Sequence, residues 1–261
     1  MTSAAMLNNL EYKVLRTMFP AEPAYMDGSA YAHTSKLVAA FGNEAIRSLR
    51  GKTVVDFGCG DGAEAIELAM LGVRRVIGLD IRPAILEQAR RAAEDRGVAN
   101  ICEFVTEVTE PADAVISLDG FEHYSDPEAM LAIMYRLLRP GGQVLASFGP
   151  TWYHPLGGHL FSVFPWAHLL FSEAALLRWR SHLRNDGATR FCEVEGGLNQ
   201  MTISRFEGIV KASPFELEQL ETVPIRKLRR IHTHFAREFT TATVRARLRK
   251  GSRRGRETTH P

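Results

Sequence analysis

An α/β fold, a mostly parallel sheet with helices on both faces, is predicted on three observations. Between Thr53 and Phe148, short β-branched runs alternate with stretches of helical periodicity. The connections between them are short, which favours a parallel sheet covered on both sides. A glycine-rich turn, Gly58-Cys59-Gly60-Asp61-Gly62, joins the first run to the first helical stretch.

Thr53 to Phe57 (TVVDF) is the first strand, followed by a helix from Gly62 to Leu71. Val76 to Leu79 is the second strand, ending at Asp80. Pro83 opens the next helix, whose apolar positions include Leu86, Ala89 and Ala93. Ile101 to Val105 and Ala114 to Leu118 are the third and fourth strands. Asp126 has the chemistry of an N-cap, with Pro127 at the first helical position and Glu128 in the first turn. Met130, Ile133, Met134 and Leu137 continue that helix, Pro140-Gly141-Gly142 is read as its stop, and Gln143 to Phe148 is the fifth strand. Asn199 to Ala212 and Ile225 to Glu238 read as helices, Glu216 to Val223 and Thr240 to Leu248 as two more strands.

These elements organise the chain. Residues 1–50 form an N-terminal helical extension whose clearest helix is Ser35 to Leu49, and 51–149 form the ligand-binding core. Residues 150–198 are too long for a connection and are read as an inserted lid or substrate element. Residues 199–250 complete the sheet, and 251–261 are a basic flexible tail.

Composition sets outer bounds. Of 261 residues, 45% are hydrophobic and 24% charged, as in ordinary globular chains. The net charge of +2 divides unevenly: residues 245–261 carry +6 and the rest −4. A strongly basic nucleic-acid binder is disfavoured for the body, and the tail keeps the question open. The three cysteines are far apart, so neither a disulfide framework nor a cysteine-rich zinc site is expected, and a cytoplasmic setting is the natural reading. No secretory leader pattern and no transmembrane segment are seen. The sequence leaves the oligomeric state open.

The glycine turn carries most of the chemistry. Glycines let a ligand lie against the main chain, and the following helix N-terminus offers unpaired N–H groups. Asp80, at the end of the second strand, can accept hydrogen bonds from both ribose hydroxyls of an adenosine. Gly58 to Ala63 formally fits the dinucleotide pattern G-x-G-x-x-A. Asp56, two residues before the first glycine, would repel a pyrophosphate and suit a cofactor bearing an ammonium and a sulfonium.

Asp56-Phe57-Gly58-Cys59-Gly60-Asp61-Gly62 resembles the nucleotide-binding motif of class I S-adenosylmethionine-dependent methyltransferases. So do Gly78-Leu79-Asp80-Ile81, Asp113 to Ser117 with Phe121-Glu122-His123, and Leu137 to Gly142; the last is similar to the ubiquinone/menaquinone-methyltransferase-like (type 11) branch that acts on small molecules. The resemblance implies a Rossmann-like seven-stranded sheet with an antiparallel last strand, S-adenosyl-L-methionine as cofactor and S-adenosyl-L-homocysteine as product. It implies that Gly58, Gly60 and Gly62 approach the methionine part and that Asp56 helps hold its amino group. Asp80 would bind the ribose and Ile81 flank the adenine. Thr106 and Glu107 stand where the family often places an acidic residue near the adenine amino group, although the usual Gly-Asp is absent. Leu118 and Asp119 stand where the methyl group usually points.

The acceptor side is read from residue types. His123 is a general base, a contact to the cofactor carboxylate, or a satisfied histidine beside Asp126; Glu122 has similar standing. Trp152, Tyr153, His154 and His159 follow the fifth strand in a loop containing Gly157 and Gly158. His154 and His159 suit substrate binding, base catalysis or metal ligation, but no third ligand has convincing spacing, so no metal is expected. Phe161 and Trp166 begin an apolar stretch that is either a buried lid helix or a wall for a hydrophobic substrate, with peripheral membrane contact as the sharper form of the second. The expected function is methyl transfer to a small, apolar or aromatic acceptor. Two alternatives are an RNA or other macromolecular methyltransferase using the basic tail, and a non-catalytic cofactor-binding regulatory module. Asp119-Gly120-Phe121 replaces the Pro-Pro motif of exocyclic-amine methylation, which disfavours bases and glutamine as acceptors.

Overall fold

The structure, a computed structural model, describes residues 3–19, 35–183, 186–194 and 196–252. The end of the predicted basic tail, 253–261, and residues 20–34 of the N-terminal extension lie outside the described residues.

Seven strands form one sheet in the order β3-β2-β1-β4-β5-β7-β6. They are β1 (Thr53–Phe57), β2 (Arg75–Leu79), β3 (Cys102–Val105), β4 (Ala112–Leu118), β5 (Leu138–Phe148), β6 (Phe215–Pro224) and β7 (Thr241–Lys250). β1 to β5 pair in parallel, whereas β7 runs antiparallel to both β5 and β6. Every residue of β1 is buried, as a central strand covered on two faces requires.

Two hydrophobic layers cover the sheet. On one face, α2 (Lys36–Arg47), α3 (Ala63–Met70) and α4 (Pro83–Asp95) bury Leu37, Ile46, Leu68, Leu86 and Ala89 against Val54, Val76 and Ile116. On the other, α5 (Pro127–Leu137) and α8 (Ile203–Ala212) bury Leu131, Met134, Phe206 and Ile209 against Val55, Val115 and Phe148. Each of the larger of these side chains, the Leu, Ile, Val, Met and Phe, contributes about 1.5–3 kcal/mol of burial. Asp126 caps α5 by accepting from the Ala129 N–H at 2.9 Å, with Pro127 in the first turn, as predicted.

A third cluster lies apart from the sheet. The helix α1 (Ser3–Met18) packs on α7 (Glu173–Arg180) of the insertion, with Tyr12 and Leu15 against Leu176, Trp179 and Phe161. The Tyr12 hydroxyl meets His182 Nε2 at 2.6 Å, and the Arg178 guanidinium lies 3.9 Å from the Tyr12 ring centroid. Helix α1 and the insertion therefore pack together as a cap away from the sheet, whereas α2 of the same N-terminal extension belongs to the sheet face, a division that no local pattern announces.

Several elements differ from expectation. The helix read from Ser35 to Leu49 is broken at Gly42, whose φ of 78° is not helical. Pro140-Gly141-Gly142 does not stop α5; the helix ends at Leu137, and Leu138 already pairs with Ala112 in the sheet. The Pro-Gly-Gly stretch instead takes up a register irregularity before Gln143 pairs with Ala114. α8 begins at Ile203 rather than Asn199, because Thr202 accepts from the Arg205 N–H as cap. Ile225 to Glu238 is not one helix: it holds a 3₁₀ segment, Arg226–Ile231, and the single turn α9 (Arg237–Thr240). His232, bonded to Thr240 at 2.8 Å and Thr222 at 3.1 Å, pins the chain between them. The apolar stretch after Phe161 holds one turn, α6 (Ala167–Leu170), and then α7, not a single lid helix.

Candidate active site

The strand order reverses between β1 and β4, since β2 and β3 run outward from one and β5 from the other. In an open α/β sheet, the crevice beyond the carboxyl ends of such strands is where ligands bind. The loop after β1, the end of β2 and the segment after β4 all meet there.

Gly58, Gly60 and Gly62 have φ of 85°, 52° and 82°. Their uses differ. A side chain on Gly62 would strike Ala89 and Phe104 at 2.8 Å, so this glycine serves packing of the loop on α4 and β3. One on Gly60 would meet nothing within 4 Å, so this glycine leaves main chain open to a ligand. Asp80 ties the loop down by accepting from the Gly60 N–H at 3.1 Å and from the Arg82 guanidinium at 2.9 and 3.0 Å. Burial would raise its carboxyl, but the Arg82 fork and the backbone N–H donors outweigh this and hold it below the usual carboxylate range. Ile81 is 87% exposed, an apolar surface offered beside the loop. Thr106 and Glu107 are exposed after β3. Open main chain, a charged carboxylate and a bare apolar side chain together fit an adenosine cofactor.

Asp56 lies beneath the loop, buried, with Oδ2 lacking any partner. Burial first, then Glu64 and Asp80, push its carboxyl up to about 8, opposed by the Ala65 N–H in α3. It stands as a buried acid at the base of the loop. Burial, with Asp56 and Asp80 nearby, also pushes the Cys59 thiol up, so this residue fills space and supplies no nucleophile.

The segment after β4 is held from three sides. Asp119 has φ of 50° and lies within electrostatic reach of Lys36 and His123, while Leu118 before it is half-buried. Glu122 is buried, and its Oε1 accepts from the Gly149 N–H at 3.0 Å while Oε2 has no partner. Asn199 donates through Nδ2 to the carbonyls of Phe121 and Tyr124, both at 2.7 Å. His123 Nδ1 stands 2.8 Å from the Gly197 carbonyl, which can only accept, so Nδ1 carries a proton and Nε2 is the nitrogen left for a proton from elsewhere. Its ring lies 5.1 Å from that of His159, edge to face. His159 is pushed down to about 4 by burial first and then by His123, so it is neutral; its Nε2 is buried without a partner and its other nitrogen meets the Pro150 carbonyl.

The predicted residues thus separate into two groups. The cofactor set lies at the carboxyl ends of β1 to β4, and His123 and His159 stand ring to ring beside the segment after β4. His154 does not join that pair, because its Nδ1 accepts from the Leu156 N–H at 2.9 Å and holds the loop. Phe161 is 1% exposed in the cap interior beside Phe191, so it packs the cap and forms no open wall. Trp152 is half-buried against His168 and Phe191. Tyr153 and Trp166 lie nearer solvent, joined by the Trp166 indole N–H donating to the Tyr153 carbonyl at 2.9 Å. Tyr124 and Asn199 were not legible as site residues: the Tyr124 hydroxyl, 2.8 Å from Ser117 Oγ, sits under Gly58, and only the folded chain brings Asn199 to it. Among the described residues, no group of three or more His, Cys, Asp or Glu side chains is placed to hold a metal ion.

Glu122 gives a stability test. Burial first, then Asp119, raise its carboxyl from 4.5 to about 8. The native state then keeps a proton that the unfolded chain releases, so stability falls as pH rises from about 4.5 to about 8 and levels above. Glu122→Gln, which keeps an acceptor for the Gly149 N–H, is expected to flatten that fall. Urea midpoints across this window check it, and an unchanged slope would show that Glu122 is ionised when buried.

Comparison with known proteins agrees with the geometry. Residues 54–142 match the methyltransferase domain family, and this segment is a class I S-adenosylmethionine-dependent methyltransferase domain with S-adenosylmethionine as its cofactor. Among curated relatives, the chain is 33% identical over 144 residues to ubiquinone biosynthesis O-methyltransferase of Neisseria meningitidis serogroup C, covering 52% of this chain and 53% of that one. It is 39% identical over 100 residues to ribosomal protein L11 methyltransferase of Vibrio campbellii, covering 38% and 34%. The chain spans about half or less of the curated relatives it matches. Among solved structures, magnesium protoporphyrin IX methyltransferase of Synechocystis PCC 6803 is similar with a TM-score of 0.54 at 19% identity, covering 95% of this chain and 97% of that one. The [4+2]-cyclase SpnF is similar with a TM-score of 0.53 at 15% identity, over 80% of each chain. A cyclase and a methyltransferase on one fold show that chemistry must be argued from the site.

Proposed function

We propose that this protein transfers the methyl group of S-adenosylmethionine to a small, apolar or aromatic acceptor. The observation that carries the reading is the roofing of the crevice by the chain's own insertion: residues 149–159 and 196–201 close over the segment after β4 through Gly149 to Glu122, Gly197 to His123 and Asn199 to Tyr124. A roof of this kind suits a small acceptor. The names of the Neisseria and Synechocystis proteins point the same way.

The cofactor, when bound, supplies an electrophilic methyl group on a sulfonium. Gly60 and the α3 N-terminus would hold its methionine part, Asp80 its ribose and Ile81 its adenine. His123 accepts the acceptor's proton on Nε2, beside a neutral His159 and the Asp119 carboxylate, which offsets the charge that forms. The roof excludes water and fixes approach, an effect worth ~7–11 kcal/mol at its limit. The reading keeps the cytoplasmic setting; Cys59, Cys102 and Cys192 are free thiols.

A macromolecular acceptor is the second reading, motivated by the basic chain end and the ribosomal-protein methyltransferase relatives. Part of that basic run has structural duties. Arg245 pairs with Glu221 and donates to the Ala39 carbonyl, Arg249 pairs with Glu218, and Lys250 donates to the carbonyls of Tyr135 and Leu138.

Calorimetric titration should give heat with S-adenosylmethionine and none with NAD; the reverse overturns the cofactor half. Incubating the protein with a cell extract and methyl-labelled cofactor tests the acceptor half. Label is expected in the solvent-extractable fraction, and label confined to precipitated RNA or protein would select the second reading.

A further inference from the structure

We propose that the β6–β7 connection, residues 225–240, docks the active-site end of this protein onto an anionic lipid surface. Because β7 runs antiparallel to β5, with Val244 opposite Phe148, this connection emerges at the end of the sheet where β5 delivers Gly149 to the site. From Ile225 to Arg237 the chain holds five basic residues and no acidic one. Arg237 is taken by Glu207, but Arg226, Lys227, Arg229 and Arg230 are exposed and form no ion pair among the described residues.

Apolar side chains are interleaved with these charges. Ile231 is 59% and Phe235 95% exposed, a costly arrangement in water for a chain that buries comparable residues elsewhere. The backbone behind them is held. The Ile225 N–H donates to the Thr240 carbonyl at 2.8 Å, and His232 is fixed between Thr222 and Thr240. Phe239 packs on Tyr153 of the insertion at 5.2 Å, so the connection abuts the roof of the site.

Basic residues with protruding apolar ones match an interface where charge meets headgroups and carbon meets acyl chains. RNA could stack on Phe235 but would leave the exposed aliphatic Ile231 without a partner, whereas acyl chains accept both. Among the described residues no helix is long and apolar enough to cross a membrane, so the attachment is peripheral. Given the small-molecule reading above, an apolar acceptor dissolved in lipid would reach the site without crossing water. The docking itself does not depend on that reading and is measured without an acceptor.

The test is co-sedimentation of the full chain, loaded with S-adenosylhomocysteine, with phosphatidylcholine vesicles with and without phosphatidylglycerol. Binding is expected only to the anionic vesicles, weakening with salt. Arg229→Glu with Arg230→Glu should weaken it at least about 25-fold, at about fivefold per charge. Phe235→Ser should weaken it about tenfold with cofactor affinity unchanged, since so exposed a residue supports no core. Absence of binding to anionic vesicles overturns the proposal. So does binding that survives the loop substitutions but is lost on removing residues 253–261. RNA binding without vesicle binding, lost in the charge variant and kept in Phe235→Ser, overturns it in favour of nucleic acid.

Discussion

Asp80→Ala should weaken S-adenosylmethionine binding at least about a hundredfold, because two hydrogen bonds to a charged group at about 1.5–3 kcal/mol each are lost with the carboxylate. The Arg82 side chain that now pairs with Asp80 is 56% exposed, so it can turn to solvent when ribose hydroxyls take its place. Asp80 also holds the Gly60 N–H, so loss of affinity alone would not separate ribose binding from loop order. A cycle with a deoxyribose analogue of S-adenosylhomocysteine does. Unaltered protein should lose about tenfold when a ribose hydroxyl is removed, whereas Asp80→Ala should lose almost nothing further. Equal losses in both proteins would assign Asp80 to the loop and not to the ribose.

Asp80 was legible in the sequence because its position is local: a short apolar strand, a carboxylate, then Pro83 opening a helix. The same holds for Asp126-Pro127-Glu128 and for the strands of the core, whose runs of apolar residues need no partner to be seen. Ile225 to Glu238 shows the opposite case. Its composition permits a helix, but no apolar stripe is buried, and His232 and the threonines on either side take the backbone elsewhere. Phe161 shows a second limit, since an apolar residue beside a site reads alike whether it lines the cleft or packs the cap behind it. Asn199 and Gly197 gain their roles only when the end of the insertion meets the turn after β4, more than 70 residues away in sequence. The pairing of His123 with His159 is of that kind too, for β5 separates them.

That pairing makes the second large effect. His123→Ala is expected to lower kcat by about 10²–10⁴, the contribution of a placed general base, with little change in cofactor affinity. The tautomer argument is specific: Gly197 holds the proton on Nδ1, so Nε2 is the atom that accepts. His159 stays neutral down to about pH 4 and therefore does not oppose the charge that His123 acquires. Loss of a histidine that merely packed would raise KM and lower kcat together through loss of structure, and added imidazole would restore nothing. A base lost from an intact pocket leaves KM near its original value, and imidazole restores part of kcat. His154→Ala is the comparison, since its Nδ1 serves Leu156: it should lower the unfolding temperature and leave the imidazole response absent. Unchanged kcat in His123→Ala would mean that the acceptor arrives already deprotonated, as a carboxylate does, and would move the reading from phenols, amines and carbon acids to that class.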